Sequence, residues 1–280
     1  MRFIAVLCWF LAFGAQPALA ATSPGLKSLE RHLSSLVASQ PADVGVAALD
    51  LSSGEMVTIN GDEPFPMAST VKVAIAANYL AQVEHGRRSL DDIISGQKAS
   101  KLIEAMLVRS SNPATDILLR DLGGPHTIQA WLNQNNIKGL RIDRNIAQLL
   151  RAKRDLWDVR DSSTPRAMVE LLREFDSGRL LNASSRSYLF GLMGRCITGK
   201  NRIRGLLPSG TRVENKTGTL SGLSTDVGFI TMPDGRRVAV AFFARGGGNR
   251  ARTIAEAARA IYDGFASRVR TAFTPAYGTR

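Results

Sequence analysis

The sequence predicts an α/β fold in which an antiparallel sheet is flanked by terminal helices and an all-α lobe is inserted into the chain. Strand patterns occupy both ends, in "VGVAALDLSSGEMVTING" near the start and in "TRVENKTGTL", "TDVGFITMP" and "RRVAVAFFAR" near the finish. From Ser69 to about Gly199 the periodicity is nearly all helical. Strands that bracket a helical middle must come together in one sheet, and the helical runs outside them are placed to cover it.

The first twenty residues stand apart. Arg2 is followed by the apolar run "FIAVLCWFLAF" and then by "AQPALA", with the small-x-small pattern Ala18-Leu19-Ala20. This reads as a secretory signal peptide cleaved after Ala20. Its apolar core falls short of the roughly 20 residues that span a bilayer. Residues 21–280 are then the folded part, with an α/β lobe over about 21–68 and 200–280 and an all-α lobe over about 69–199. Cys8 leaves with the leader and Cys196 remains alone, so no internal disulfide is expected, and no cysteine stands at the cleavage site to carry a lipid anchor.

Residues 25–40 carry Leu26, Leu29, Leu33 and Leu36 on one helical stripe, and two strands are expected around the turn Ser52-Ser53-Gly54. Further helices are expected over "ASKLIEAMLVRSS", "NPATDILLRDLG", "GPHTIQAWLNQN" and "TPRAMVELLREFD", the last opened by Thr164 as cap and Pro165 in the first turn. Pro233-Asp234-Gly235 turns the last strand pair, and "NRARTIAEAARAIYDGFASRVR" closes the chain as a helix.

Composition excludes more than it selects. A net charge of +12 favours contact with anionic surfaces. The basic residues are scattered without interleaved aromatics, which argues against a nucleic-acid role. His32, His85 and His126 lack ligand spacing, so no metal site is expected, and no glycine-rich phosphate loop is present, so no cofactor is expected either.

The run "FPMASTVKVAIAANYL" is apolar on nearly every side, as a buried helix would be, yet it carries Ser69 and Lys72. Burying an unpartnered ammonium costs several kcal/mol, so Lys72 needs a polar site. Residues i and i+3 share a helix face, which puts Ser69 within its reach. A lysine there can take a serine's proton and turn a poor nucleophile into a good one. The spacing alone is weak evidence, because Ser95-Gly-Gln-Lys98 repeats it in a polar, glycine-containing loop where we read it as chance.

Two motifs further along the chain add weight. Ser110-Ser111-Asn112 sits before Pro113 at a helix junction, and Lys216-Thr217-Gly218 lies on a predicted strand. With Ser69-x-x-Lys72 this ordered set resembles the three motifs of the penicillin-recognising serine enzymes. The likeness to class A β-lactamases extends over "FPMASTVK", "SSNPATD", "RIDR", "DSSTP", "NRIRGLLP" and "NKTGT", hence nearly the whole mature chain. It implies Ser69 as nucleophile, Lys72 as its activating partner and Ser110 as the hydroxyl that passes a proton to the leaving nitrogen. It also implies that Asn112 binds the substrate's acylamino group, that Lys216 and Thr217 hold its carboxylate, and that the backbone N–H groups of Ser69 and Thr219 form the oxyanion hole. Arg202 falls where some members place an arginine near that carboxylate; a surface arginine at a helix end is the other reading. Physical sense agrees with the set, since Lys72 and Lys216 in one cleft would repel and favour a neutral, basic lysine.

The resemblance also marks departures. Class A enzymes clear the acyl-enzyme with a glutamate between the landmarks matched here by Arg141-Ile-Asp-Arg144 and Asp161-Ser-Ser-Thr-Pro165. Arg144 and Asp161 can still pair across the loop neck, but the glutamate position matches Ile146, and the asparagine four places on is Leu150. Gln148 cannot titrate, and Asp155 and Asp158 lie toward the far neck of a slightly long loop. Ser111 stands where aspartate is usual. The chain between Ser69 and Ser110 is short, implying a more open cleft.

The leading expectation is an exported, periplasmic or secreted, monomeric serine hydrolase, acylated by β-lactams and D-alanyl-D-alanine-like peptides and slow to deacylate, in the manner of a penicillin-binding D,D-peptidase. The alternatives are a functional class A β-lactamase and a non-catalytic cell-wall peptide-binding protein, although binding alone would not need a nucleophile. No stable membrane anchor is expected.

Overall fold

The computed structural model describes residues 24–153 and 155–272, so the expected leader over residues 1–20 lies outside the described residues. Five strands form one antiparallel sheet: β1 (Asp43–Asp50), β2 (Met56–Ile59), β7 (Val213–Leu220), β8 (Leu223–Thr231) and β9 (Arg237–Arg245), in the order β2-β1-β9-β8-β7. The first and last segments meet where β1 pairs with β9, in a register that sets Val46 opposite Phe242. Strand β7 is therefore an edge.

Both faces of the sheet are covered, and β9 shows how. Its Val238, Val240, Phe242 and Ala244 join one cluster with Leu26, Leu29 and Leu33 of α1 (Pro24–Ala38) and Ile254, Ala258, Ile261 and Phe265 of α9 (Arg250–Ala272). The alternate residues Ala239, Ala241 and Phe243 point the other way, into a larger cluster built with the middle helices. Period-two alternation with apolar residues at every step is what a strand buried on both faces needs.

The middle begins with the short β3 (Phe65–Pro66), a 3-10 turn over Ala68–Val71 and α2 (Lys72–Glu84). "FPMASTVK" is thus not the opening of one continuous helix. Pro66 sits in an extended pair with the short β6 (Ser162–Ser163), and Ala68 takes a left-handed φ of 49° that breaks helical geometry. Ser69 accordingly stands on a 3-10 turn just ahead of α2. Next come the hairpin β4 (Ile93–Ile94) and β5 (Gln97–Lys98), then α3 (Ala99–Val108), α4 (Asn112–Asp121), α5 (Pro125–Gln134), α6 (Ile146–Arg151), α7 (Pro165–Asp176) and α8 (Ala183–Gly194). Ser95 and Gly96 form the two-residue hairpin turn, both at positive φ, and Lys98 pairs with Asp91 at 2.9 Å. The second Ser-x-x-Lys is therefore a turn and not a helix face.

Helices α6 and α8 lie outside the helical runs expected from the sequence. Each nevertheless carries a start signal. Asn182 caps α8, and Asn145 with Gln148 forms a reciprocal capping box on α6.

Candidate active site

Three elements converge on the turn that carries Ser69. Met67, two residues before it, donates its N–H to Asp161 O at 2.9 Å, and its carbonyl accepts from Thr70 Oγ1 at 2.8 Å and Thr225 Oγ1 at 3.2 Å. Strand β7 then runs against the turn with Gly218 as the point of closest approach. A methyl group on Gly218 would come within 2.7 Å of Met67 O and 2.9 Å of Ser69 N, so only glycine fits there.

Lys72, the first residue of α2, is fully buried. Its Nζ donates to Ser110 O at 2.8 Å, to Asn112 Oδ1 at 2.8 Å and to Ser110 Oγ at 3.3 Å. Lys216 comes from the opposite side and donates to the same Ser110 Oγ at 2.9 Å and to Thr217 O at 2.7 Å. Ser110 is held at a left-handed φ of 57°, a conformation uncommon outside glycine, and from there presents both of its oxygens to lysines. Ser111 accepts from Ala114 N at 3.3 Å as the cap of α4, a position that serine and aspartate fill equally well.

Two buried lysines sharing one hydroxyl shape the electrostatics. Burial, reinforced by the charge of Lys216, pushes the Lys72 ammonium down to about 7. Lys216 is pushed down to about 8, again chiefly by burial. The cleft thus holds one lysine that is half neutral near neutral pH beside another that keeps most of its charge.

Arg202 is not a surface residue. It is 8 % exposed, and it donates to Gly218 O at 2.7 Å, Thr225 O at 2.8 Å and Thr219 Oγ1 at 2.6 Å, which fastens the end of β7 to β8. Behind it Asp226 is fully buried, accepting from Asn215 Nδ2 at 2.8 Å and Ile203 N at 3.3 Å; burial pushes its carboxyl up to about 6. Thr217 shares a 2.5 Å hydrogen bond with Thr198, whose Oγ1 lies 3.3 Å from the thiol of Cys196. Sequence reasoning places neither Asp226 nor Cys196 at the site, because nothing local marks a residue that becomes buried only when strands and turns from distant segments meet.

The loop between the two landmarks closes at its neck. Arg144 Nε meets Asp161 Oδ2 at 2.5 Å, and Asp161 Oδ1 also accepts the backbone N–H groups of Asp143 and Arg144. Asp158 joins the same arginine at 3.1 Å, which assigns it to the neck. Ile146 opens α6 and is 4 % exposed, packed in the larger hydrophobic cluster, while Leu150 one turn later is 48 % exposed. Asp116 of α4 also joins this loop to the rest of the site, its oxygens accepting from Ile146 N and Ala147 N. His32 lies in α1, His85 just beyond the end of α2 and His126 in α5.

The sequence pattern of the beta-lactamase enzyme family matches residues 28–265. The extended-spectrum β-lactamase PER-1 of Pseudomonas aeruginosa is 29% identical over 275 residues, covering 86% of this chain and 88% of the relative. The β-lactamase CARB-4 of the same organism is 31% identical over 218 residues, covering 71% of this chain and 75% of the relative. Among solved structures, an ancestral (GNCA) class A β-lactamase aligns with a TM-score of 0.80 at 32% identity, covering 85% of this chain and 100% of that chain. The extended-spectrum β-lactamase TLA-3 aligns with a TM-score of 0.80 at 25% identity, covering 86% and 99%.

Proposed function

The chain belongs to the class A serine β-lactamase family, and from that membership we propose that it is an exported hydrolase whose Ser69 is acylated by β-lactams and D-alanyl-D-alanine-like peptides and released slowly. The observation that carries the acylation half is the bond pair at Ser110: Lys72 and Lys216 both donate to one hydroxyl beside the Ser69 turn. That arrangement supports a route in which neutral Lys72 takes the Ser69 proton as Oγ attacks the carbonyl carbon. The proton then passes by way of Ser110 Oγ to the departing nitrogen as the C–N bond breaks. The backbone N–H groups of Ser69 and Thr219 are the proposed oxyanion donors, and the close seating of Gly218 supports their juxtaposition. Asn112 is the proposed partner of the acylamino group, with Lys216, Thr217 and Arg202 on the carboxylate side.

Slow release is supported by Ile146, an alkyl group that cannot accept a proton from water. General-base help is worth about 10²–10⁴ in rate, or roughly 3–5 kcal/mol of barrier. A second reading is a β-lactamase with ordinary turnover, favoured by the names of the relatives above. Export is supported by the leader pattern of residues 1–20, and no helix among the described residues is long and apolar enough to cross a membrane. Mass spectrometry of the intact protein after mixing with a penicillin tests the reading: a lasting mass increment of one drug molecule is expected, no increment with the penicillin left intact would refute acylation, and no increment with the penicillin hydrolysed would favour the second reading.

Lys216→Ala probes the carboxylate side. Acylation by a penicillin is expected to fall by about 10²-fold, the scale of one lost charge-assisted hydrogen bond to substrate. Acylation by an uncharged ester or thioester should fall much less. Equal losses for both, measured by stopped flow, would assign Lys216 to general electrostatics instead.

A further inference from the structure

A cleft of about 770 Å³ opens at the C-terminal end of α2, walled by α5 and by the connection from α7 to α8. Lys72 opens the same helix at its other end, and none of Ser69, Lys72, Ser110 or Lys216 lines this cleft. It is separate from the Ser69 site. A relay of side chains runs into it and ends in an unpaired donor. Arg88, paired with Asp121 and set over the Tyr79 ring at 5.5 Å, donates Nε to Gln82 Oε1 at 2.9 Å. Gln82 Nε2 donates in turn to Asn78 Oδ1 at 3.0 Å. Because a guanidinium can only donate, the relay fixes which end of each amide is oxygen. Asn78 is 2 % exposed and lines the cleft, and its Nδ2 donates to no other described residue.

Helix packing does not call for such a donor, since a buried N–H without a partner is costly and an apolar residue would avoid the cost. The surrounding wall suits a ligand rich in hydroxyl groups. Trp131 is partly buried against the larger hydrophobic cluster and lines the cleft, and its indole N–H has no partner among the described residues. An indole offers a flat apolar face with a polar tip. Gln134 adds an exposed amide that both donates and accepts. His85 Nδ1 lies 2.6 Å from Ala81 O and donates to it, which leaves Nε2 of the neutral ring as an acceptor. The charges around the cleft largely cancel: Arg179 pairs with Glu174, and Glu84 and Arg87 are of opposite sign.

We propose that this cleft binds a neutral saccharide, with one face of a pyranose ring on the Trp131 indole and the ring hydroxyls shared among Asn78 Nδ2, Gln134 and His85 Nε2. A pyranose matches both halves of the wall, because its axial C–H bonds make one face apolar while every hydroxyl can donate and accept. An anion would need unpaired positive charge, and here the charges cancel. The site goes beyond the acyl-enzyme reading and does not depend on it, since no step at Ser69 enters the argument.

The test is an NMR titration of the whole protein with triacetylchitotriose, with maltotriose and with soluble cell-wall glycan strands stripped of peptide. The indole N–H resonance of Trp131, assigned by its loss in Trp131→Phe, should shift saturably with a Kd of about 1 mM or tighter for at least one of them. Read from the backbone amides of residues 78–85, Trp131→Ala should weaken binding by about 10-fold or more, the scale of a lost aromatic platform. Gln134→Ala, on an exposed side chain that folding does not need, should weaken it by about 3–10-fold, the scale of one hydrogen bond. Trp157→Ala, which changes an exposed tryptophan outside the cleft, should leave it unchanged. Preference for the two N-acetylated probes would assign the source to an aminosugar polymer, and equal binding of maltotriose would assign it to sugars in general. No saturable shift with any probe up to about 20 mM, shifts centred on the Ser69 cleft instead, or binding unaltered in both Trp131→Ala and Gln134→Ala would overturn the inference and leave the Asn78 amide to water.

Discussion

Ser69→Ala is expected to abolish covalent capture of β-lactams, and Lys72→Ala to slow it by about 10²–10⁴-fold. The first removes the atom that forms the bond. The second removes a buried base held by hydrogen bonds to both Ser110 and Asn112, and with it help worth about 10²–10⁴ from proton transfer. Because Lys72 becomes neutral above about 7, acylation by the unmodified protein should climb as pH rises through that value. An unchanged mass increment in Ser69→Ala would move the nucleophile elsewhere, and a Lys72→Ala variant that acylates at the native rate would remove the lysine from the proton path.

The largest gain of function should come from the loop. Ile146→Glu combined with Leu150→Asn is expected to shorten the life of the acyl-enzyme by about 10²-fold or more, the lower range of what a general base supplies. The structure adds a cost to that graft. Ile146 is buried in the hydrophobic cluster with the Asp116 carboxylate at its backbone N–H, so a glutamate there is desolvated beside a like charge. Stability should fall by roughly 2–4 kcal/mol, and the new carboxyl should titrate above the ordinary glutamate range. Decay of the adduct by time-resolved mass spectrometry, beside thermal unfolding, measures both effects. A folded double variant whose adduct lives as long as the native one would mean that position 146 does not face the acyl bond.

The sheet is legible in the sequence because its signals are local. "RRVAVAFFAR" alternates between two apolar faces, and Pro233-Asp234-Gly235 marks its turn, so strand identity needs no knowledge of partners. The pairing of Arg144 with Asp161 is legible from the landmarks that frame the loop. Ser69 is harder. Its apolar surroundings read as a continuous helix, whereas a left-handed Ala68 and an extended Pro66 set it on a 3-10 turn, and that break is imposed by β6 and β7 packing from far along the chain. The partners of Lys72 illustrate the same limit. Helical spacing points to Ser69, while the hydrogen bonds that hold the ammonium run to Ser110 and Asn112, 38 and 40 residues away. Asp116 and Asp226 are invisible for that reason: an aspartate in a helix or a strand reads as solvated until the fold sets other backbone amides against it.

The central claim is acylation without efficient release, and burst kinetics of the unmodified protein with a chromogenic cephalosporin tests it most directly. A burst of about one product per active site, and then a slow steady rate, is the result expected when hydrolysis of the acyl-enzyme limits turnover. Sustained turnover without a stoichiometric burst, at roughly 1–10³ per second, would contradict it and make this chain a β-lactamase that draws its deacylating base from somewhere other than position 146.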